Sequence, residues 1–283
     1  MINKITIRKS AKIIDNNYVI KKKKKNLDST FNYLLSRSFD YFPEILKQDD
    51  ENIYYKYIDD IDEPTEQKII DLMNLLSLLH SKTTFYKEMD LDHYKNIYES
   101  INNEIDDIYN YYNILMDNIE SEIYMSPSNY LIARNITTIY SALNHAKEHI
   151  NKWYKMIENK RRVRVVTIHN NLSLDHYLKE DKPYLISWDS AKVDMPIYDL
   201  ISLYKNHYLN FDFVEILKLY LNKYPLTTEE MTLFLTIISI PSKIEETNSE
   251  YKTVLKIRRL IDYIYKTSEL VKEYSIKQET NEK

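Results

Sequence analysis

The sequence predicts an α+β fold in two lobes, a small β-rich one followed by a large and mostly helical one. Three observations carry this. Short β-branched runs fill residues 2–58. Beyond Pro64 the apolar residues recur at helical spacing. A strand–loop–strand insert then interrupts the helical texture between Arg162 and Trp188. The expected division is residues 1–58 for the β-rich lobe, 59–64 for a linker, 65–274 for the helical lobe and 275–283 for a polar tail.

The elements follow in order. Ile5-Thr6-Ile7 and Ile13-Ile14 read as strands, Asp15-Asn16-Asn17 as a turn, and Tyr18-Val19-Ile20 as the returning strand. Lys21 to Lys25 is a run of lysines, read as a solvated strand end. Asp28 is placed to cap a helix reaching Phe39. Pro43–Leu46 and Ile53–Ile58 read as two further strands. Ile69, Ile70, Met73, Leu76, Leu79 and His80 mark the first long helix, and a second runs from about Leu91 to Tyr124. Ser126-Pro127 starts a third, to about Asn159, with an N-cap followed by proline in the first turn. Arg162–Ile168 and Tyr184–Trp188 are strands. Pro196 opens a helix to about Tyr208, and Phe213–Tyr224 forms another. Thr227 and Glu230 have capping-box spacing. The last helix covers about Thr247 to Tyr274, and the polar tail beyond it is expected to fray.

Composition narrows the function. A formal net charge of −4 gives no argument for nucleic acid or an anionic membrane, and neither is expected as a partner. With no cysteine, thiolate nucleophiles, thiolate metal sites and disulfides are excluded. No apolar run approaches the roughly 18 residues of a membrane span. The N-terminal segment has no signal-peptide core, so a cytoplasmic location is expected. Glycine is absent and tyrosine reaches 27 residues, a bias of the kind that nucleotide composition imposes. Its physical consequence is that left-handed backbone positions, usually glycine, must fall to residues such as Asn and Asp.

Chemistry-bearing residues concentrate in three ordered segments. They are His169-Asn170-Asn171-Leu172-Ser173-Leu174-Asp175-His176, then Tyr184-Leu185-Ile186-Ser187-Trp188-Asp189, then Asp194-Met195-Pro196-Ile197-Tyr198-Asp199-Leu200. Their order and spacing resemble the aminoglycoside phosphotransferase and choline kinase family, part of the protein kinase-like group. There the first segment reads HGDxxxxN, the second ends IDWD or IDWE, and the third reads DPxxDL. The resemblance also takes in Tyr18-Val19-Ile20-Lys21 and Leu78-Leu79-His80-Ser81, and so covers most of the chain. It implies a two-lobed protein kinase-like fold. It is nearest to the spore-coat CotS-type branch, through Tyr109-Asn110-Tyr111-Tyr112, Pro196–Leu200, Pro225-Leu226-Thr227-Thr228-Glu229-Glu230 and Pro241-Ser242-Lys243.

The resemblance assigns roles residue by residue. His169 stands at the histidine that braces the catalytic loop. Asn171 stands where the catalytic Asp belongs, and an amide accepts no proton near neutral pH. His176 stands where the family has a metal-binding Asn, and imidazole is a poor ligand for Mg²⁺. Ser187 stands at the main metal carboxylate. Lys21 is the candidate for the ATP lysine, and Asp189, matching the acidic residue after the Trp, is a further nucleotide-site candidate. Trp188, Asp194 and Asp199 are structural positions, Asp199 matching the last Asp of DPxxDL and Met195 replacing its first. No Glu in the 28–39 helix is available to pair with Lys21, and no Gly-rich loop covers phosphate.

The degenerate set implies a pseudokinase that acts as a binding or scaffolding protein, with a spore-coat association and coat proteins among the partners implied by the resemblance, and no cofactor. The alternative is a surviving hydroxyl-acceptor phosphotransferase using ATP and Mg²⁺ through shifted ligands Asp175 and Asp189. A third reading comes from His145-Ala146-Lys147-Glu148-His149. These two His lie at i and i+4 on one helix face, the spacing of an inverted zinc-peptidase motif, but no third ligand follows in a recognisable pattern. Asp59-Asp60 and Asp106-Asp107 read as solvated pairs, and Tyr94, Tyr98, Tyr109 and Tyr112 as a core and rim stripe.

Overall fold

In the computed structural model every residue is described except 1–4, 9–10, 16, 246 and 282–283. The chain forms two compact units, each assembled from separate segments. The first takes the residues up to Phe85 together with Arg164–Ser202 and Ile216–Pro225. The second takes Tyr86–Val163, Leu203–Glu215 and the chain from Leu226 on. The fold is α+β, with a β-rich N-terminal region and a mostly helical remainder. Among the described residues no helix is long and apolar enough to cross a membrane.

The first unit opens with an antiparallel sheet of strands β1 (Ile5–Arg8), β2 (Ala11–Ile14), β3 (Tyr18–Lys22), β4 (Ile45–Gln48) and β5 (Asn52–Lys56), in the order β1-β2-β3-β5-β4. The β2–β3 turn places Asp15 at φ 50°, and Asn17 N–H closes it onto the Ile14 carbonyl at 2.9 Å. Asn16, read as part of that turn, lies outside the described residues. Strand β3 lies between β2 and β5, with Lys21 opposite Ala11 on one side and Ile53 on the other. Ile13, Ile53 and Tyr55 turn into the core.

Helix α1 spans Asp28–Ser36, shorter than its expected end at Phe39. Asp28 does not cap it. Its own N–H donates to Asn26 Oδ1 at 2.8 Å, so the side chain serving the helix start is that of Asn26. The helix stops where Ser38 enters the left-handed region at φ 55°. Residues 57–64 then carry no regular structure before α2 (Thr65–Thr83). Helix α2 buries Ile69, Leu72, Met73, Leu76, Leu79 and His80. Strand β7 (Arg162–Ile168) pairs antiparallel with β10 (Lys192–Asp194), and between them lies the hairpin of β8 (Tyr177–Lys179) and β9 (Pro183–Leu185). The expected strand to Trp188 ends at Leu185. Ser187 takes φ 68°, which breaks extended backbone, and Trp188–Ser190 is one turn of 3-10 helix.

The second unit is helical. It contains α3 (Leu91–Ser121) and α4 (Pro127–Ile157), and it is completed by α7 (Thr228–Ser239) and α8 (Glu250–Asn281). Ser126 caps α4 by accepting from Asn129 N–H, with Pro127 in the first turn. Thr227 and Glu230 form the full capping box of α7. Tyr112, Ile139, Leu143, Ile150, Trp153, Leu233 and Leu235 are among its buried side chains. Helix α8 continues to Asn281, past the frayed tail expected from Tyr274. The short strand β6 (Phe85–Glu88) was not expected, and helices α5 (Ile197–His207) and α6 (Phe213–Leu221) complete the chain.

Candidate functional site

The residues singled out by the three motif segments lie in the first unit. Strand β7 delivers the chain to His169, and the loop after it is held by one carboxylate. Asp199, near the N-terminus of α5 and fully buried, accepts from the N–H of His169 at 2.8 Å and of Asn170 at 2.7 Å. His80 of α2 stands on its other side, with Nε2 at 3.2 Å from Asp199 Oδ2 and Nδ1 at 2.7 Å from the Tyr220 hydroxyl. The relay closes when His80 Nε2 carries the proton, donates to Asp199, and lets Nδ1 accept from Tyr220. The sequence reading set His80 on the helical stripe and in the Leu78–Ser81 segment of the resemblance, but gave neither it nor Tyr220 a part in the site. The available signal was a histidine at 80 on an otherwise apolar helical stripe.

His169 is fully buried and donates from Nε2 to the Ile186 carbonyl at 2.8 Å. Burial pushes its imidazole down, against the opposing pull of Asp199, so the ring is a neutral brace. It lies edge-on to Trp188, with centroids 4.9 Å apart. Trp188 in turn packs against Phe31, Phe39 and Phe42, and its indole N–H donates to the Leu185 carbonyl at 2.7 Å. The loop is thereby tied to α1 and to the segment that follows it.

Asn170 stands where the resembling family has glycine, and it takes the left-handed conformation at φ 55°. Asparagine is among the residues that tolerate this region best after glycine. Its side chain donates to the Ser190 carbonyl at 3.2 Å. Asn171 is exposed. His176 donates from Nδ1 to the Asn171 backbone carbonyl at 2.7 Å, closing the loop on itself. Asp175 is exposed, and its N–H faces Ser173 Oγ at 3.4 Å.

Lys21 projects from β3 to Ser187 and Asp189, with Nζ 3.0 Å from Ser187 Oγ and 3.0 Å from Asp189 Oδ2. Both partners of the ion pair are largely buried, at 16% and 17% side-chain exposure. Burial first, and the Asp189 charge second, push the Tyr55 phenol up. Lys25 donates to the Ala191 carbonyl at 2.8 Å, fixing the next turn of the same segment. Asp194 accepts from Met195 N–H at 2.8 Å and pairs with Lys192 at 2.7 Å. The structure thus brings Lys21, Ser187 and Asp189 together, and separately His169, Asn170 and Asp199. It leaves Asp175 in solvent.

These donors do not fit Mg²⁺. The ion takes hard, charged oxygen ligands in near-octahedral array. Ser187 offers an uncharged hydroxyl, His176 an imidazole whose Nδ1 is committed to the loop, and Asp189 a carboxylate already neutralised by Lys21. The zinc reading fares no better. The His145 and His149 rings lie tilted against each other with centroids 4.0 Å apart, but among the described residues no group of three or more His, Cys, Asp or Glu is placed to hold a metal.

No protein-family model matches the sequence, and no curated protein does. Solved structures do. The chain superposes on an aminoglycoside phosphotransferase from Alicyclobacillus acidocaldarius with a TM-score of 0.74 at 8% identity, covering 99% of this chain and 93% of that one. A glucosamine kinase, solved with glucosamine, ADP and inorganic phosphate, gives 0.54 at 8% identity, over 99% and 81%. An AMP complex of a spectinomycin phosphotransferase gives 0.52 at 14% identity, over 96% and 88%. The fold is that of the aminoglycoside phosphotransferases and related small-molecule kinases.

Proposed function

We propose that this chain is a pseudokinase, a phosphotransferase fold that has given up phosphoryl transfer and acts as a binding or scaffolding protein. One contrast carries the reading. The position that braces the loop keeps its carboxylate, with Asp199 bonded to two loop N–H groups, while the position that would deprotonate an acceptor holds the exposed amide of Asn171. Transfer depends on positioning, charge neutralisation and a base acting together. Loss of a general base alone costs about 10²–10⁴-fold. Here it coincides with an uncharged Ser187 and an imidazole at His176.

The partner we propose is another protein, and the spore-coat association rests on the CotS-type sequence resemblance. Nucleotide binding is compatible with this role. Two structurally similar kinases were solved with AMP or ADP, and the sequence resemblance puts Lys21 at the ATP lysine. Calorimetry with ADP and ATP, with and without Mg²⁺, tests the reading. The expected result is binding that Mg²⁺ does not strengthen and ATP that is not turned over with aminoglycoside or choline acceptors.

The second reading is a surviving phosphotransferase that uses Asp189, two residues beyond the family's metal carboxylate, and Asp175 as shifted ligands. Mg²⁺-dependent turnover of ATP that vanishes in Asp189→Ala would establish it and end the pseudokinase reading.

A further inference from the structure

Helices α4, α7 and α8 of the second unit enclose a cavity of about 890 Å³. Its size falls in the roughly 300–1,000 Å³ range of small-molecule pockets. None of its lining residues comes from the 169–189 segment. The walls carry Ala142, Met156, Ile261, Ile264 and Val271, which make an apolar body. Met156 and Tyr265 line the cavity and also face solvent, with 36% and 59% exposure, so the cavity opens beside them.

The polar part of the lining is one-sided in charge. Lys152 and Lys272 line it, as do His145 and His149, and among the described lining residues there is no aspartate or glutamate. Glu148, between the two histidines in sequence, is exposed and outside the lining. Both lysines are exposed at the cavity rim. Several of the hydroxyls are already committed to the protein: Thr232 donates to the Thr228 carbonyl, Ser239 to Leu235, Ser268 to Tyr265, and Thr267 bonds Tyr204. Two buried polar atoms in the lining are not. His145 Nε2 and Ser275 Oγ have no hydrogen-bond partner.

We propose that this cavity is a binding site for a single-chain amphiphilic carboxylate. The apolar walls take the chain, and Lys152 and Lys272 set the sign of the headgroup. Burial pushes both imidazoles down, so at neutral pH the two histidines act as polar neutral groups and the lysines carry the charge. The site is independent of whether the first unit binds nucleotide.

Decanoate is the probe, titrated into the full chain below its micelle concentration, with decanol and decyltrimethylammonium as neutral and cationic controls of equal chain length. Binding is read by calorimetry and by the ¹³C-methyl resonance of Met156. The expected result is saturable one-site binding of decanoate, at least about tenfold tighter than decanol, with no binding of the cation and a shifted Met156 methyl signal. Lys152→Gln combined with Lys272→Gln should weaken decanoate about tenfold and leave decanol unchanged. Ile264→Trp should abolish binding by filling the cavity. Because Ile264 is also a core residue, Ser141→Trp at an exposed lining position serves as the second block. The inference is overturned by no decanoate binding, by decanol binding equally well, by a Met156 signal that does not move, or by binding that survives both tryptophan variants.

Discussion

The Asp199 carboxylate and the His80 imidazole face each other at 3.2 Å, with neither side chain exposed to solvent. Asp199 also takes both loop N–H groups, so a single carboxylate joins α2, α5 and the loop after β7. An Asn side chain cannot replace it. Its one carbonyl oxygen accepts, and its NH₂ would confront a donor. Asp199→Asn should cost about 1–3 kcal/mol for each donor left unpaired, and a thermal melt should fall by at least ~3 °C. Asn171→Ala, at an exposed position, should stay within about 0.5 kcal/mol of the parent. Equal melts for the two variants would contradict the bracing role.

The Lys21–Asp189 pair is expected to couple. Removing either partner leaves the other charge largely buried, so Lys21→Met and Asp189→Asn should each destabilise more than the double variant relative to additivity. A double-mutant cycle by chemical denaturation should return a coupling on the order of 1 kcal/mol. Additivity within error would mean that the ion pair contributes nothing.

Left-handed backbone without glycine leaves room for improvement. Ser187 at φ 68° has no special tolerance for that region. Ser187→Gly should raise stability by roughly 0.5–1 kcal/mol, although it removes the Lys21 hydrogen bond, and Ser187→Val should lower it by about 1–3 kcal/mol. Asn170→Gly should be nearly neutral, because asparagine already suits the position. Denaturation midpoints for the three variants decide the order.

Acid should weaken the second unit through His149. Burial first, then His145 and Lys152, push this imidazole down to about 4. In the unfolded chain it titrates near 6.5. The unfolded state therefore binds the proton more readily, and stability falls as pH drops from about 6.5 toward 4. The contribution is fully present above the unfolded value, and its loss, reduced by solvent screening at a half-exposed ring, should be on the order of 1 kcal/mol. His149→Gln should remove that part of the pH dependence. A variant whose stability falls with acid as steeply as the parent's would show that the burial penalty is not realised.

Restoring the base alone should not restore transfer. Catalytic groups that act as a unit are strongly non-additive. Asn171→Asp should leave ATP turnover at background, since Ser187 and His176 still offer no charged ligand. Turnover in that single variant would imply a functional metal site and would favour the shifted-ligand reading.

Local signals were legible in the sequence, and long-range ones were legible only through the motif frame. Thr227 with Glu230, and Ser126 with Pro127, fix their helix starts by contacts within three residues, so their spacing alone foretells them. The strand at Arg162–Ile168 was legible from its β-branched run. The stop at Leu185 was not, because Ser187 adopts the left-handed region without any residue-type signal. Asn26 rather than Asp28 serves the start of α1, because the helix begins at Asp28 itself, whose N–H is free to donate to the Asn26 side chain. Lys21 and Asp189 were each singled out as nucleotide-site residues, yet their direct contact spans 168 positions and no local pattern foretells it. The hydrogen bond between His80 and Tyr220 was missed for the same reason, since it joins side chains 140 positions apart.

The chain contains two tryptophans, and both are buried, Trp188 in the first compact unit and Trp153 in the second. Each unit thus carries its own intrinsic fluorophore. With Trp153→Phe, emission reports on the loop unit alone, through an indole packed beside His169. With Trp188→Phe, it reports on the helical unit alone. Two spectra from one chain would then tell whether the units melt together or in sequence, and which of them responds first when nucleotide or carboxylate is added.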